Sequence, residues 1–253
     1  MAQNIFGQSI FLKRIAIRVF GSLSYPGFMW ANKSLVKGAE KLGALQDRNV
    51  LFVANHQTYF ADVACMLHVM HGALNGYPNN LKRPGFLNPW KHSIYYVAAE
   101  ETMKSGFLPK MLAYSGAVTI KRSWRKDGEN VKRDVDPNDV GQVLTALTDG
   151  WVISFPQGTT SPFVQGRKGT AHIIKQQEPL VIPIVIDGFR RAFDKRGLLY
   201  KKKGVELRVT IKDPVDINYS QSVEEIMDVV MNSIEQSPEY DFFAKRELTH
   251  NDK

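Results

Sequence analysis

Short apolar runs separated by polar turns set the rhythm of this 253-residue chain. Val50-Leu51-Phe52-Val53-Ala54 is apolar throughout and rich in β-branched and aromatic residues, the pattern of a buried strand. Similar runs at 93–99, 116–120, 151–155 and 179–186 predict four further strands. Pro183 in the last run predicts an edge strand or a bulge, because proline gives no ladder hydrogen bond. Residues 205–211 alternate as a half-buried strand does. Residues 61–70 and 140–148 read as helices, and 223–234 as an amphipathic terminal helix. Residues 121–139 are highly charged and contain Gly128 and Pro137, which predicts a solvated loop or lid. Strands alternating with helices predict an α/β fold with a central, mostly parallel sheet flanked by helices.

The first 45 residues have a different texture. Phe6, Ile10, Phe11, Ile15, Ile17 and Phe20 mix with Lys13, Arg14 and Arg18, and Tyr25, Phe28, Met29 and Trp30 precede Lys33 and Lys37. Large apolar residues beside cations suit an amphipathic helix lying in a membrane interface. The same composition also fits a helix packed on its own domain. The expected division is a helical membrane-docking segment at 1–45 and an α/β domain at 46–253. No stretch reaches the roughly 18 uncharged apolar residues of a spanning helix, and the start lacks the parts of a signal peptide. A peripheral protein on the cytoplasmic face of the membrane is expected.

Charge narrows the partners. The chain has 33 basic and 25 acidic residues, a net charge of +8. An anionic membrane surface, a phosphate-bearing substrate or nucleic acid would suit that excess. The cations are dispersed among acids and no nucleic-acid motif is present, so a nucleic-acid partner is not expected. Cys65 is the single cysteine, which excludes an intrachain disulfide, and its apolar setting predicts an inert buried thiol. His68, His71, His92, His172 and His250 lack ligand-like clustering, so no metal site is expected.

Candidate chemistry begins directly behind the first strand, at Asn55-His56-Gln57-Thr58-Tyr59-Phe60-Ala61-Asp62. A histidine and an aspartate flanking a strand-to-helix turn can form a general base and its orienting partner, held between two rigid elements. A polar residue satisfied at a turn, and an aspartate capping a helix, are the plainer alternatives. Farther on, Phe155-Pro156-Gln157-Gly158-Thr159-Thr160 follows the fourth strand, and Gly166-Arg167-Lys168-Gly169-Thr170 follows that. Gly116 opens the segment Gly116-Ala117-Val118-Thr119-Ile120-Lys121-Arg122.

In their order and spacing these blocks resemble the glycerolipid acyltransferases typified by bacterial lysophosphatidate acyltransferase. The His/Asp block, the Gly-x-x-x-Ile-x-Arg block, the Phe-Pro-x-Gly-Thr block and the Val-Ile-Pro-Ile strand carry the resemblance, across roughly residues 35 to 235. It implies transfer of a fatty acyl chain from acyl-CoA or acyl carrier protein to the hydroxyl of a membrane lysophospholipid, lysophosphatidate giving phosphatidate. It also implies direct transfer with no covalent acyl-enzyme and no cofactor. His56 would be the general base and Asp62 its orienting partner. Backbone amides at Gly158 and Thr159 would hold the oxyanion. Asn55, Gly116, Pro156 and Gln157 would help shape the substrate site. Arg122, Arg167 and Lys168 would bind a phosphate of the acceptor or of coenzyme A.

Two departures from the family pattern matter. Five residues separate His56 from Asp62 where the family usually has four. On a regular helix one extra residue turns a side chain by about 100°, so the addition has to be absorbed in the turn before the helix. The usual Phe-Pro-Glu-Gly-Thr-Arg block also reads Phe-Pro-Gln-Gly-Thr-Thr here. Thr160 cannot make the bidentate phosphate contact of an arginine. A non-phosphate acceptor such as a lyso-amino-acid lipid, or an inactive lipid-binding module, are the alternatives these departures open.

Overall fold

The computed structural model describes residues 2–88, 93–104, 113–121, 125–126, 129–130 and 137–241. Helix α1 (Ile10–Met29) precedes strand β1 (Lys33–Lys37). Strand β2 (Val50–Ala54) leads to α2 (Ala61–Leu74), and β3 (Ser93–Ala99) runs into the short α3 (Glu100–Lys104). Next come β4 (Ala117–Ile120) and a two-strand ribbon of β5 (Arg125–Lys126) and β6 (Glu129–Asn130). Helix α4 (Pro137–Asp149) continues into β7 (Gly150–Ser154), and α5 (Lys168–Gln177) precedes β8 (Leu180–Asp187). The short α6 (Phe189–Ala192), β9 (Glu206–Ile211) and α7 (Val223–Ser233) follow. Most of the expected 121–139 loop, with Arg122, lies outside the described residues, as do His92 and His250.

Seven strands form one sheet in the order β1-β9-β8-β2-β7-β3-β4, parallel throughout except between β8 and β9. Strand periodicity sorts its side chains into two cores. Val50, Phe52 and Ala54 of β2, with Trp151 and Ile153 of β7, pack toward α1 and α2. Leu51 and Val53, with Val152, pack toward α4, α5 and α7. Because both faces are covered, the central strands carry no polar alternation. Strand β1 lacked a clear signal because Lys33-Ser34-Leu35-Val36-Lys37 is half polar; it is an edge strand, where lysines guard an open ladder.

Pro183 does not mark an edge. Strand β8 lies between β9 and β2. The Pro183 carbonyl accepts from the Lys212 amide (2.9 Å) and the Val181 carbonyl from the Val215 amide (2.8 Å). The neighbouring chain thus advances three residues while β8 advances two, a bulge-like step beyond the end of β9. Pro183 accepts from Lys212 but has no N–H to return, so the regular β8–β9 ladder ends here, one residue past the Ile184–Ile211 pair.

Helix α1 packs one side on the domain and leaves the other open. Its inner side buries Ala16, Ile17, Phe20 and Phe28. Its outer side leaves Phe11, Leu12, Ile15, Val19 and Leu23 exposed, Leu23 at 65%. Lys13 is buried, its Nζ over the Tyr95 ring at 4.2 Å, and burial pulls its pKa down to about 8. Beneath the helix, the Ser24 hydroxyl lies 2.9 Å from His68 Nε2. Cys65 is buried, and desolvation pushes its thiol pKa up.

Burial lowers the pKa of both His68 and His71 to about 3, so the fold holds them neutral. The unfolded chain takes up their protons near pH 6.5, so their contribution is complete above that pH and is lost as the pH falls toward 3. Urea unfolding at pH 5 should therefore show stability lower than at pH 7.5, by on the order of 1–2 kcal/mol per histidine, a loss that His68→Phe reduces.

Candidate active site

The carboxyl ends of β2, β7, β3 and β4 meet at one edge of the sheet, where open α/β sheets place their sites. Asn55, one residue past β2, pins that edge. Its Nδ2 donates to the Ile186 carbonyl (2.9 Å) and its Oδ1 accepts from the Ile186 amide (2.8 Å). The side chain continues the β2–β8 ladder and so serves the scaffold.

Residues 57–60 then turn the chain into α2. Phe60 at the N-cap makes no side-chain capping bond. Asp62, inside the first turn, reaches back instead. Its Oδ2 accepts from the Gln57 amide (2.5 Å) and the Thr58 amide (2.9 Å), and its Oδ1 from the Thr58 hydroxyl (2.7 Å). A fourth donor, His56 Nδ1, lies 2.9 Å from Oδ2. The carboxylate is fully buried, and these four donors replace the water it has lost. The added residue between His56 and Asp62 is thus taken up in the turn, and the pair is in contact. A carboxylate facing Nδ1 fixes the proton on that nitrogen, which leaves the lone pair on Nε2.

A loop after α6 braces the turn from outside. The Tyr59 amide donates to the Lys195 carbonyl (3.1 Å) and the Phe60 amide to the Arg196 carbonyl (2.9 Å). Gly197, at φ +78°, lies so near that a Cβ would fall 2.5 Å from the Ala61 nitrogen.

His56 stacks on Phe155 with ring centres 3.9 Å apart and planes 25° from parallel. The imidazole borders a cleft walled by Phe60, Val63, Val97, Met103, Ile120 and Phe155. Nε2 has no hydrogen-bond partner among the described residues. Gly158 and Thr159 form the rim beside it. Gly158 takes φ +61° in the turn after β7, and its amide is already bonded to the Phe155 carbonyl (2.9 Å). The Thr159 amide has no partner among the described residues, and Thr159 is among the residues that line the cleft.

The other expected residues fall elsewhere. Pro156, Arg167 and Lys168 line an adjoining cleft that shares Val97, Ile120, Phe155 and Gly158 with the first. Lys168 pairs with Glu224 of α7, which is not part of that cleft. Gln157 is buried and gives its amide to the Val164 carbonyl (3.0 Å) and to Gln236 (3.3 Å). Gly116 sits at the opposite, amino end of β4, where its φ of +128° admits a close approach to the Ile94 carbonyl. Sequence reasoning passed over Arg190. Its guanidinium donates to the Thr160 carbonyl, and its amide to Gln57 Oε1 (3.2 Å). The signal was available as Arg190-Arg191 directly behind the fifth strand, near the turn that lacks a cation at Thr160.

An oriented imidazole facing an apolar cleft can accept a proton from a hydroxyl, and a neighbouring amide can hold developing negative charge. Comparison with known proteins bears on the family and the fold. Residues 33–187, more than half of the chain, match the model of the Acyltransferase family. Among solved structures the chain is similar to the 1-acyl-sn-glycerophosphate (LPA) acyltransferase PlsC from Thermotoga maritima. That likeness has a TM-score of 0.58 at 20% identity, covering 88% of this chain and 78% of the other, and shows a shared fold. No curated protein sequence matches the chain.

Gly197→Ala should bring both left-handed strain and a clash with the braced turn. A loss of more than about 1 kcal/mol in urea unfolding is expected, whereas Gly204→Ala, with open space around it, should show strain alone.

Proposed function

Because the chain belongs to the acyltransferase family, we propose that this enzyme moves a fatty acyl chain from a thioester donor to the hydroxyl of lysophosphatidate. The observation that carries the reading is the His56 Nδ1–Asp62 bond, set so that Nε2 faces an apolar cleft. In the proposed reaction Nε2 takes the acceptor's hydroxyl proton as its oxygen attacks the thioester carbonyl. Asp62 holds the tautomer and steadies the imidazolium. The Thr159 amide meets the oxyanion. Collapse of the tetrahedral intermediate breaks the carbon–sulfur bond, and the thiolate leaves with the proton from Nε2. The products are an ester and a free thiol, with no acyl-enzyme and no cofactor. Acyl-CoA and acyl carrier protein both fit as donors.

A phosphate-bearing acceptor is favoured over a neutral one by the cations near the cleft. Arg190 brings a guanidinium against Thr160, where the family pattern has arginine, and Arg167 and Lys168 line the adjoining cleft. No helix among the described residues is long and apolar enough to cross a membrane. The exposed row Phe11, Ile15, Val19 and Leu23 along α1 supports docking in one leaflet instead, with the lipid acceptor reached from the interface.

Thiol release from a long-chain acyl-CoA, with lysophosphatidate and neutral lysolipids as acceptors, tests the reaction. Wild type should show acceptor-dependent release, lost at least about 1000-fold in His56→Ala and about 100- to 10,000-fold in Asp62→Asn. Arg190→Ala should raise KM for lysophosphatidate about tenfold or more, which a neutral acceptor would not show. Equal turnover by wild type and His56→Ala would sink the reading. Phe11→Asp with Leu23→Asp should also weaken vesicle binding; unchanged binding would remove the docking role of α1.

A further inference from the structure

Between Phe193 and Gly204 the chain reads Asp-Lys-Arg-Gly-Leu-Leu-Tyr-Lys-Lys-Lys, five cations against one carboxylate. The described fold gives this loop a defined shape. Asp194 Oδ1 accepts from the amides of Leu198 (2.8 Å) and Leu199 (3.0 Å), and the Asp194 amide donates to the Leu199 carbonyl (2.9 Å). The one carboxylate is therefore occupied in closing the loop. The tip carries Leu198, Leu199 and Tyr200 outward, with Leu199 at 69% exposure, and Lys201, Lys202 and Lys203 beside them are exposed.

The tip also joins the outer side of α1. A Cβ on Gly27 would lie 3.1 Å from the Tyr200 hydroxyl, and Leu23, Leu198 and Tyr200 border one shared hollow. The exposed apolar residues of helix and loop therefore form one surface, edged by three lysines. The stem of the same loop holds the His56–Asp62 turn through the Lys195 and Arg196 carbonyls and the close contact at Gly197.

We propose that residues 198–203 are a second membrane contact, one that selects an anionic lipid surface, and that seating this tip steadies the turn bearing His56. The proposal rests on the reading of the substrate as a membrane lipid. Leucines and a tyrosine enter the interface while the adjacent lysines meet lipid phosphates. An acidic protein such as an acyl carrier protein is the rival occupant. It would suit the lysines, but it leaves the exposed leucines continuous with the row along α1 without a reason.

The test uses the full chain and vesicles of phosphatidylcholine with and without phosphatidylglycerol. Wild type should bind the anionic vesicles far more tightly, with strong salt dependence. The K201E/K202E/K203E variant should lose on the order of 100-fold in binding or more, and K201R/K202R/K203R should keep it. Leu199→Asp should also weaken binding to anionic vesicles. With a water-soluble short-chain acceptor, inert anionic vesicles should raise wild-type turnover, and the ratio of turnover with and without vesicles should fall to one in the glutamate variant. Unchanged vesicle binding in both the glutamate and Leu199 variants would overturn the proposal. So would glutamate variants that lose carrier-protein binding while holding vesicles normally. Absence of turnover by wild type would count against acyl transfer alone, because vesicle binding is read without it.

Discussion

One buried carboxylate organises the active edge of this protein. Asp62 has no exposure, and its four donors are the His56 ring, the Gln57 and Thr58 amides and the Thr58 hydroxyl. An ionised group in that position is tolerable only while all of these bonds persist. Strand end, turn and helix start are therefore one unit. The same carboxylate sets the tautomer of His56, so the forces that close the turn also prepare the imidazole.

Around that unit, two layers of scaffold divide the work. Asn55 ties β2 to β8 on the inside, with both ends of its amide on Ile186. The loop after α6 closes the outside with main-chain carbonyls. Neither contact bonds His56 itself, yet both fix the residues on either side of it. The cations lie farther out, on α5, α6 and the loops, where they meet solvent and can adapt to an anionic ligand without disturbing the sheet.

The strands around β2 were legible because a two-sided core demands unbroken apolar runs, and few other structures do. The His/Asp pair was legible from its place between such a run and a helix. What the pattern concealed had physical reasons. Strand β1 is half polar because it sits at an edge, and Pro183 lies inside the sheet at the point where the regular β8–β9 ladder ends. The amides of Asn55 and Gln157 resemble substrate ligands on paper, but they hold backbone and a neighbouring glutamine. Arg190 is far from His56 in sequence, and its approach to Thr160 becomes visible only when β8 is placed beside β2.

The stacking of His56 on Phe155 reaches beyond placement. With ring centres 3.9 Å apart and planes 25° from parallel, Phe155 covers one face of the imidazole. Phe155 lies just past β7 and His56 just past β2, and these two strands are paired neighbours in the sheet. The contact therefore joins the ends of two adjacent strands through their side chains, so that a shift of either strand end is felt directly at the imidazole.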